Sequence, residues 1–334
     1  MLGNIVGLLV LVALVVLFAW LTRRAWGSRR AFLKWPGLVL FGLLTLIPAL
    51  LLVLTLVGFY KLGAQHSNPV ANVKVAGTPA QIARGEKLAN ICVNCHTSNN
   101  RLPLSGVNFL AKFSFAPIGT FYAPNLTPSG NIQDWSDGEI IRAIREGVHK
   151  DSRSLLIMPA DSFRNLSDDD VQSVVAYLHS QPATGGPMPA NEFNLFGALF
   201  INLFDFQTAQ PPVGKVTAPP PGTKEYGKYM VDVIGCRGCH GDQLQGKADN
   251  GQPGPPPGPN LTQIVPQWTE EQFMTFFNTG KLPSGASVPM VTLPSGFSEP
   301  RMPWTQVRAV ATDEELKAIY TYLHGLPPVE GPAR

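Results

Sequence analysis

Two stretches decide how this chain is read: Cys92-Val-Asn-Cys95-His96 and Cys236-Arg-Gly-Cys239-His240. Together they use all four cysteines among the 334 residues. A Cys-x-x-Cys-His run is the pattern for covalent attachment of a c-type haem. The two thiols add to the haem vinyl groups as thioethers, and the neighbouring His is held under the iron. A single copy could equally be half of a zinc site or a redox dithiol. One zinc site would have to join distant segments and would leave both histidines unexplained. A redox dithiol implies a thioredoxin-like βαβ setting, which the chain lacks.

Working outward, each motif opens one copy of an internal repeat. The turns Ala123-Pro-Asn-Leu-Thr127 and Gly258-Pro-Asn-Leu-Thr262 come next, then helices led by Trp135 and Trp268. Ser136 with Glu139, and Thr269 with Gln272, have the spacing of a capping box. Gly147 and Gly280 stand where a left-handed C-cap is wanted. Met158-Pro159 and Met302-Pro303 follow, each Met 62 residues after its motif His. Closing helices are expected over 168–179 and 313–324, after Ser167-x-x-Asp and Thr312-x-x-Glu. Val171, Val174, Val175 and Leu178, and Leu316, Ile319, Tyr320 and Leu323, form their apolar stripes.

A lone Met is usually core filler. Two Met-Pro pairs at matching places make Met158 and Met302 candidate sixth ligands, since a thioether is a soft axial ligand that raises the iron potential. Met290 in the second copy, and Met188 and His149 in the first, are the rivals. Met188 follows its closing helix, and Met290 precedes a long loop. His66, His179 and His324 read as solvent-facing or capping, the last two where a helix C-terminus favours a cation.

With these parts in order, the body resembles two class I cytochrome c domains in tandem. It is similar to the membrane-bound multihaem cytochrome c subunits that accept electrons in bacterial alcohol and gluconate dehydrogenases and related respiratory complexes. The resemblance covers about residues 78–183 and 223–327 and is carried by Cys92–His96, Pro124-Asn-Leu-Thr127, residues 143–148, Met158-Pro159 and residues 166–178, with their second-copy counterparts. It implies two covalently attached haem c groups bound through Cys92, Cys95, Cys236 and Cys239, with His96 and His240 as iron ligands. It also implies that the carbonyls of Pro124 and Pro259 orient those two rings. By the same resemblance Trp135 and Trp268 reach a haem propionate; the other reading of each is an amphipathic core residue.

The front of the chain is different in kind. Leu2–Leu21 and Pro36–Tyr60 are apolar runs without a charge, each long enough to cross a bilayer as a helix. Pro48 is a candidate kink, tolerated where neighbours satisfy the freed carbonyl. A cleaved signal peptide would put basic residues before the first run, but Met1–Asn4 has none and Arg23, Arg24, Arg29 and Arg30 come after it. Basic loops stay cytoplasmic, so this loop points inward. Both termini and the haem domains then lie on the outer side of the cytoplasmic membrane. Trp20, Trp26, Trp35 and Tyr60 suit interfacial anchors. Two N-terminal spans depart from the cleaved signal and C-terminal anchor of the dehydrogenase subunits, and favour an integral respiratory or photosynthetic complex.

The expected architecture is mainly α: a two-helix transmembrane anchor over 1–62, cytochrome c domains over 78–183 and 223–330, and an apolar, Pro-rich linker over 184–222. In that linker Asn191–Phe206 carries Phe193, Phe196, Phe200, Phe204 and Phe206. It is too short to span; it suits packing between the domains, lying on the membrane, or docking a partner. Pro211–Thr223 reads as a semi-rigid spacer, and Gly251–Pro259 as a Pro-rich loop. The formal net charge of +3 divides into six basic residues and no acid over 1–62, and a mildly acidic remainder. A nucleic-acid partner would demand a basic folded body, so that class is excluded. The expected partners are other subunits of a membrane electron-transfer complex, a soluble electron carrier and the lipid bilayer. The expected function is electron relay from a quinol-oxidising or dehydrogenase partner to a soluble carrier or oxidase. The alternatives are a dihaem enzyme such as a peroxidase and a haem-bearing docking subunit.

Overall fold

The computed structural model describes residues 2–332 apart from 114–116, 205, 207, 250–255, 293–295 and 297. Most of the Pro-rich loop expected over Gly251–Pro259 therefore lies outside the described residues. The described chain is mainly helical and divides into two compact units.

One unit is built on two apolar helices, Leu2–Trp26 and Ala31–Gly63. The four residues between them force a helical hairpin. The Thr22 and Thr45 hydroxyls meet at 3.4 Å between the helices, and each also bonds the carbonyl four residues back in its own helix. The second helix runs unbroken through Pro36 and Pro48 and starts five residues earlier than its uncharged run. None of the first helix's side chains is buried. Such a surface is at odds with water and suits lipid, whose interior is as apolar as the side chains. Residues 117–121 and 190–204 also belong to this unit. Within them Leu195–Leu203 is helical, capped by the Asn194 side chain on Gly197 N–H (2.8 Å). The Phe-rich segment thus packs on the apolar helices, with Ala198 against Gly58.

The other unit holds both cytochrome-like copies around one continuous core that runs from Leu88 and Val175 to Met230 and Leu316. Each copy has an opening helix (Pro79–Ala89; Lys224–Ile234), a middle helix (Asp137–Glu146; Glu270–Thr279) and a closing helix (Asp168–Ser180; Asp313–His324). The opening helices begin at Thr78 and Thr223, whose hydroxyls accept from Gln81 and Tyr226 N–H. The capping boxes at Ser136, Thr269 and Thr312 are formed, and Gly147 and Gly280 adopt left-handed φ of 63° and 68°. After each of these glycines the chain makes the same tight bridge, Val148 with Ser154 and Lys281 with Ser287. Opening and closing helices cross so closely that a methyl group on Gly85 would collide with the Ser173 carbonyl, and one on Gly227 with that of Ala318.

The copies are clasped by Arg84. Its guanidinium makes a forked contact with Asp170 (2.8 and 3.1 Å) in its own copy and reaches Glu315 of the second (2.7 Å). Tyr229 donates to Asp170 (2.5 Å) and Tyr226 to Glu315 (2.9 Å), so both carboxylates are also satisfied from the second copy's opening helix. Burial opposes the Arg84 charge, but the two carboxylates outweigh it and hold its pKa above the usual value. His66 differs from the solvent-facing reading, since its Nε2 is buried without a partner. His179 is exposed in the last turn of its closing helix, as expected, and its Nε2 lies 2.7 Å from Asp137 Oδ1. Removing one partner of a buried ion pair strands the other and costs about 3–5 kcal/mol. Arg84→Ala should therefore lower the unfolding free energy of the haem unit by about 3 kcal/mol. Lys317→Ala, in an exposed pair with Glu270, should change it by less than about 1 kcal/mol. Denaturant titration followed by far-UV dichroism checks both.

Candidate haem sites

Each opening helix delivers its motif directly: one turn separates Ala89 from Cys92, and Gly235, at a left-handed φ of 80°, hands Ile234 on to Cys236. A short helical turn then carries the second Cys and the His (Val93–His96; Cys236–His240). Both histidines are buried. Their backbones are pinned by matching bonds, Gly106 N–H to His96 C=O (2.8 Å) and Gly246 N–H to His240 C=O (2.7 Å). The Pro-Asn-Leu turns are held in the same way, Leu126 N–H to Leu104 C=O and Leu261 N–H to Leu244 C=O, both 2.8 Å. Asn125 and Asn260 each fold back onto the N–H two residues on.

Those turns bring Pro124 O to 2.9 Å from His96 Nδ1, and Pro259 O to 2.8 Å from His240 Nδ1. A carbonyl can only accept, so each Nδ1 carries the proton and each Nε2 keeps its lone pair. Burial lowers the pKa of both imidazoles against the opposing pull of the carbonyls, with the Lys112 charge adding at His96. Neutral rings with a free Nε2 are what an iron ligand requires. Burial also pushes the Cys92 and Cys236 thiols up to about 12, helped by Cys95 and Cys239 respectively, and raises Cys95 and Cys239. A reactive redox dithiol has a depressed pKa, so these pairs lack that character. Among the described residues no three or more His, Cys, Asp or Glu side chains gather to hold a bare metal ion. The donor set of two free thiols and one imidazole per copy fits a thioether-bound haem.

The other candidates fall as follows. Met158 and Met302 are half-buried against the core, each followed by a Pro that starts a short helix. Met188 is held by its backbone to the Asn131 side chain, with its side chain near Gly106 behind the His96 loop. Met290 lies in a two-stranded ribbon and is 60% exposed. His149 Nδ1 sits 2.8 Å from Asp151, and its ring meets Trp135 edge-on at 4.8 Å. Burial disfavours the Asp151 charge, but Arg153 and His149 more than offset it and hold that carboxyl at about 2. Trp268 packs on Phe276, and its carbonyl accepts from Tyr320.

Matched by sequence, the cytochrome c family covers residues 82–182 and 225–327, more than half of the chain. The chain belongs to the cytochrome c family. It carries two covalently attached haem c groups, one for each domain, and serves electron transport. Among similar proteins is the cytochrome c subunit of a quinone-linked alcohol dehydrogenase from Gluconacetobacter polyoxogenes, 28% identical over 78% of this chain and 60% of that protein. The gluconate 2-dehydrogenase cytochrome c subunit of Pantoea cypripedii is 34% identical over 48% of this chain and 38% of its own length. The fructose dehydrogenase cytochrome subunit of Gluconobacter japonicus is 25% identical over 78% of this chain and 56% of its own. The chain thus spans about 60% or less of the length of these relatives.

Sequence reasoning missed Lys112 and Gly258. The Lys112 ammonium is buried beneath the first motif and bonds Asn94 O (2.5 Å), Thr97 O (2.8 Å) and Asn100 Oδ1 (2.7 Å), tying the backbone on both sides of Cys95 and His96. Its only signal is a lone cation in Phe109-Leu-Ala-Lys-Phe113. Gly258 passes His240 so closely that a methyl there would press on the ring. Cys92→Ala with Cys95→Ala should leave one covalent haem per chain instead of two. A pyridine haemochrome assay against protein concentration reads that ratio directly.

Proposed function

We propose that this chain relays single electrons through two six-coordinate haems on the outer face of a cytoplasmic membrane, as the cytochrome subunit of a membrane dehydrogenase complex. The observation that supports it most is the matched pair of His–Pro carbonyl contacts, 2.9 and 2.8 Å, in two copies that share one core. Each copy has the same second-ligand candidate at the same place. When bound, each haem supplies a one-electron iron couple. The chain's own side chains do the rest. Cys92 and Cys95, and Cys236 and Cys239, would hold the groups covalently; His96 and His240 would each supply one iron ligand, and Met158 and Met302 the second. Pro124 and Pro259 fix the ring angle and the tautomer, a contact of the kind that tunes ligand basicity. Trp135 and Trp268 would reach a haem propionate. The Arg84 clasp keeps the two domains in one orientation.

The anchor follows the same reading. Residues 1–62 form it, with the Arg-rich loop inside and both termini outside, and domains at 78–183 and 223–330 are joined by the linker at 184–222. The dehydrogenase names of the relatives favour a dehydrogenase or quinol-oxidising donor, over the photosynthetic setting that the two spans alone suggested. The acceptor is a soluble carrier or an oxidase. An enzyme such as a peroxidase needs an open iron, which a Met at both haems denies.

Met302→Leu removes a thioether without changing the size of the side chain much. The second haem should turn high-spin and its potential fall by on the order of 0.1 V, axial ligation being the main lever on that couple. The first haem should be unchanged, and Met158→Leu should do the converse. Optical redox titration of each variant reads both effects. Unaltered spectra would refute the ligand assignment.

A further inference from the structure

We propose that the linker helix Leu195–Leu203 is a third membrane element, embedded in the outer leaflet with acyl chains covering Phe196 and Leu203. The inference rests on the membrane topology proposed above and adds to it a segment that is too short to span. Nine residues at 1.5 Å each give a helix of about 14 Å, under half the hydrocarbon thickness. Its sequence, Leu-Phe-Gly-Ala-Leu-Phe-Ile-Asn-Leu, has no charged residue and one polar one, Asn202.

The contacts place it at a definite depth. The Ala198 backbone lies so close to Gly58 that a methyl on the glycine would collide with it, and the Leu195 side chain reaches Gly7. Gly58 is five residues from the end of the second apolar helix, and Gly7 five from the start of the first. Five residues are about 7.5 Å of helix. Both ends lie on the outer side in the proposed topology, so the linker helix sits below the rim of that leaflet. Asn4, the one strongly polar residue of the first apolar run, donates from Nδ2 to Phe193 O (2.8 Å) and so ties the approach to the linker helix to the same rim.

The helix has two different faces. Gly197, Ala198 and Ile201 are buried, while Phe196 is 47% and Leu203 59% exposed. Phe196, Phe200 and Phe204 follow one another as a ladder of ring contacts at 6.0 and 4.7 Å. An amphipathic helix lying on a membrane keeps a charged face for water. This one has none, and its other side is taken up by the apolar hairpin. Its open face is apolar, as are the exposed Leu9, Val53 and Leu56 of the spans it packs on. Acyl chain is therefore the occupant that matches both composition and depth.

The full-length holoprotein in nanodiscs of phosphatidylethanolamine and phosphatidylglycerol tests this, with one lipid carrying a diazirine either mid-acyl-chain or at the headgroup. After illumination, peptide mass spectrometry should find acyl-chain adducts on Phe196 and Leu203 at yields comparable to those on Leu9 and Val53. Headgroup adducts there should be several-fold fewer. Residues 195–203 unlabelled beside labelled Leu9 and Val53 would overturn the proposal while sparing the spans. Dominant headgroup labelling there, or a cross-link to another protein subunit, would overturn it in favour of a surface or docking helix. Loss of label on Leu9 and Val53 as well would overturn the topology and the proposal together.

Discussion

At Gly85 the opening helix of the first haem domain comes against the Ser173 carbonyl with no room for a side chain, and Gly227 repeats this against Ala318. These crossings set where the opening helices end, and the attachment motifs begin within one turn of those ends. From there the Pro-Asn-Leu turns can reach the His rings, and the Met-Pro segments can lie ahead of the closing helices. Arg84 is the residue next to Gly85, so the same crossing puts its guanidinium where Asp170 and Glu315 both meet it. A bulkier residue at either glycine would push apart the elements that every later feature assumes.

The two domains solve the same problem with different parts. In the first, a buried Lys112 gathers the carbonyls of Asn94 and Thr97, which flank Cys95 and His96. In the second, Gly258 lets the backbone run along the His240 ring, and its N–H bonds the Cys239 carbonyl (2.8 Å). Lys247 bonds Gly238 O from an exposed position. The clasp is unequal as well: Asp170 is shared with Tyr229, so Ser167 caps its helix without a reciprocal bond from the third residue, whereas Glu315 both completes its capping box and receives Arg84. A buried ion network of this kind contributes little net stability compared with apolar packing. Its use here is to specify one orientation of two otherwise similar domains.

Much of this was legible in the sequence, and for physical reasons. Motifs, caps and apolar stripes are local, so the attachment sites, the Ser136, Thr269 and Thr312 caps, the left-handed glycines and both apolar helices could be read from spacing alone. The opening helices were passed over although Thr78-Pro79 and Gln81 signal a start, because short amphipathic runs between Gly and Pro carry weak periodicity. The Arg84 clasp, the Lys112 cradle and the partner of His179 join residues far apart in sequence, and no local pattern marks them. The Phe-rich segment was legible in composition and not in place: its packing depends on Gly58 and Gly7, whose only signal is the absence of a side chain.

Electron relay through this chain requires two irons that are both closed by protein ligands. Electron paramagnetic resonance of the oxidised full-length protein in mild detergent, quantified against haem content, tests that most directly. Two low-spin haems per chain and no high-spin signal are expected. A high-spin iron at either site in the unaltered protein would contradict the relay and would turn the reading toward a haem that meets substrate.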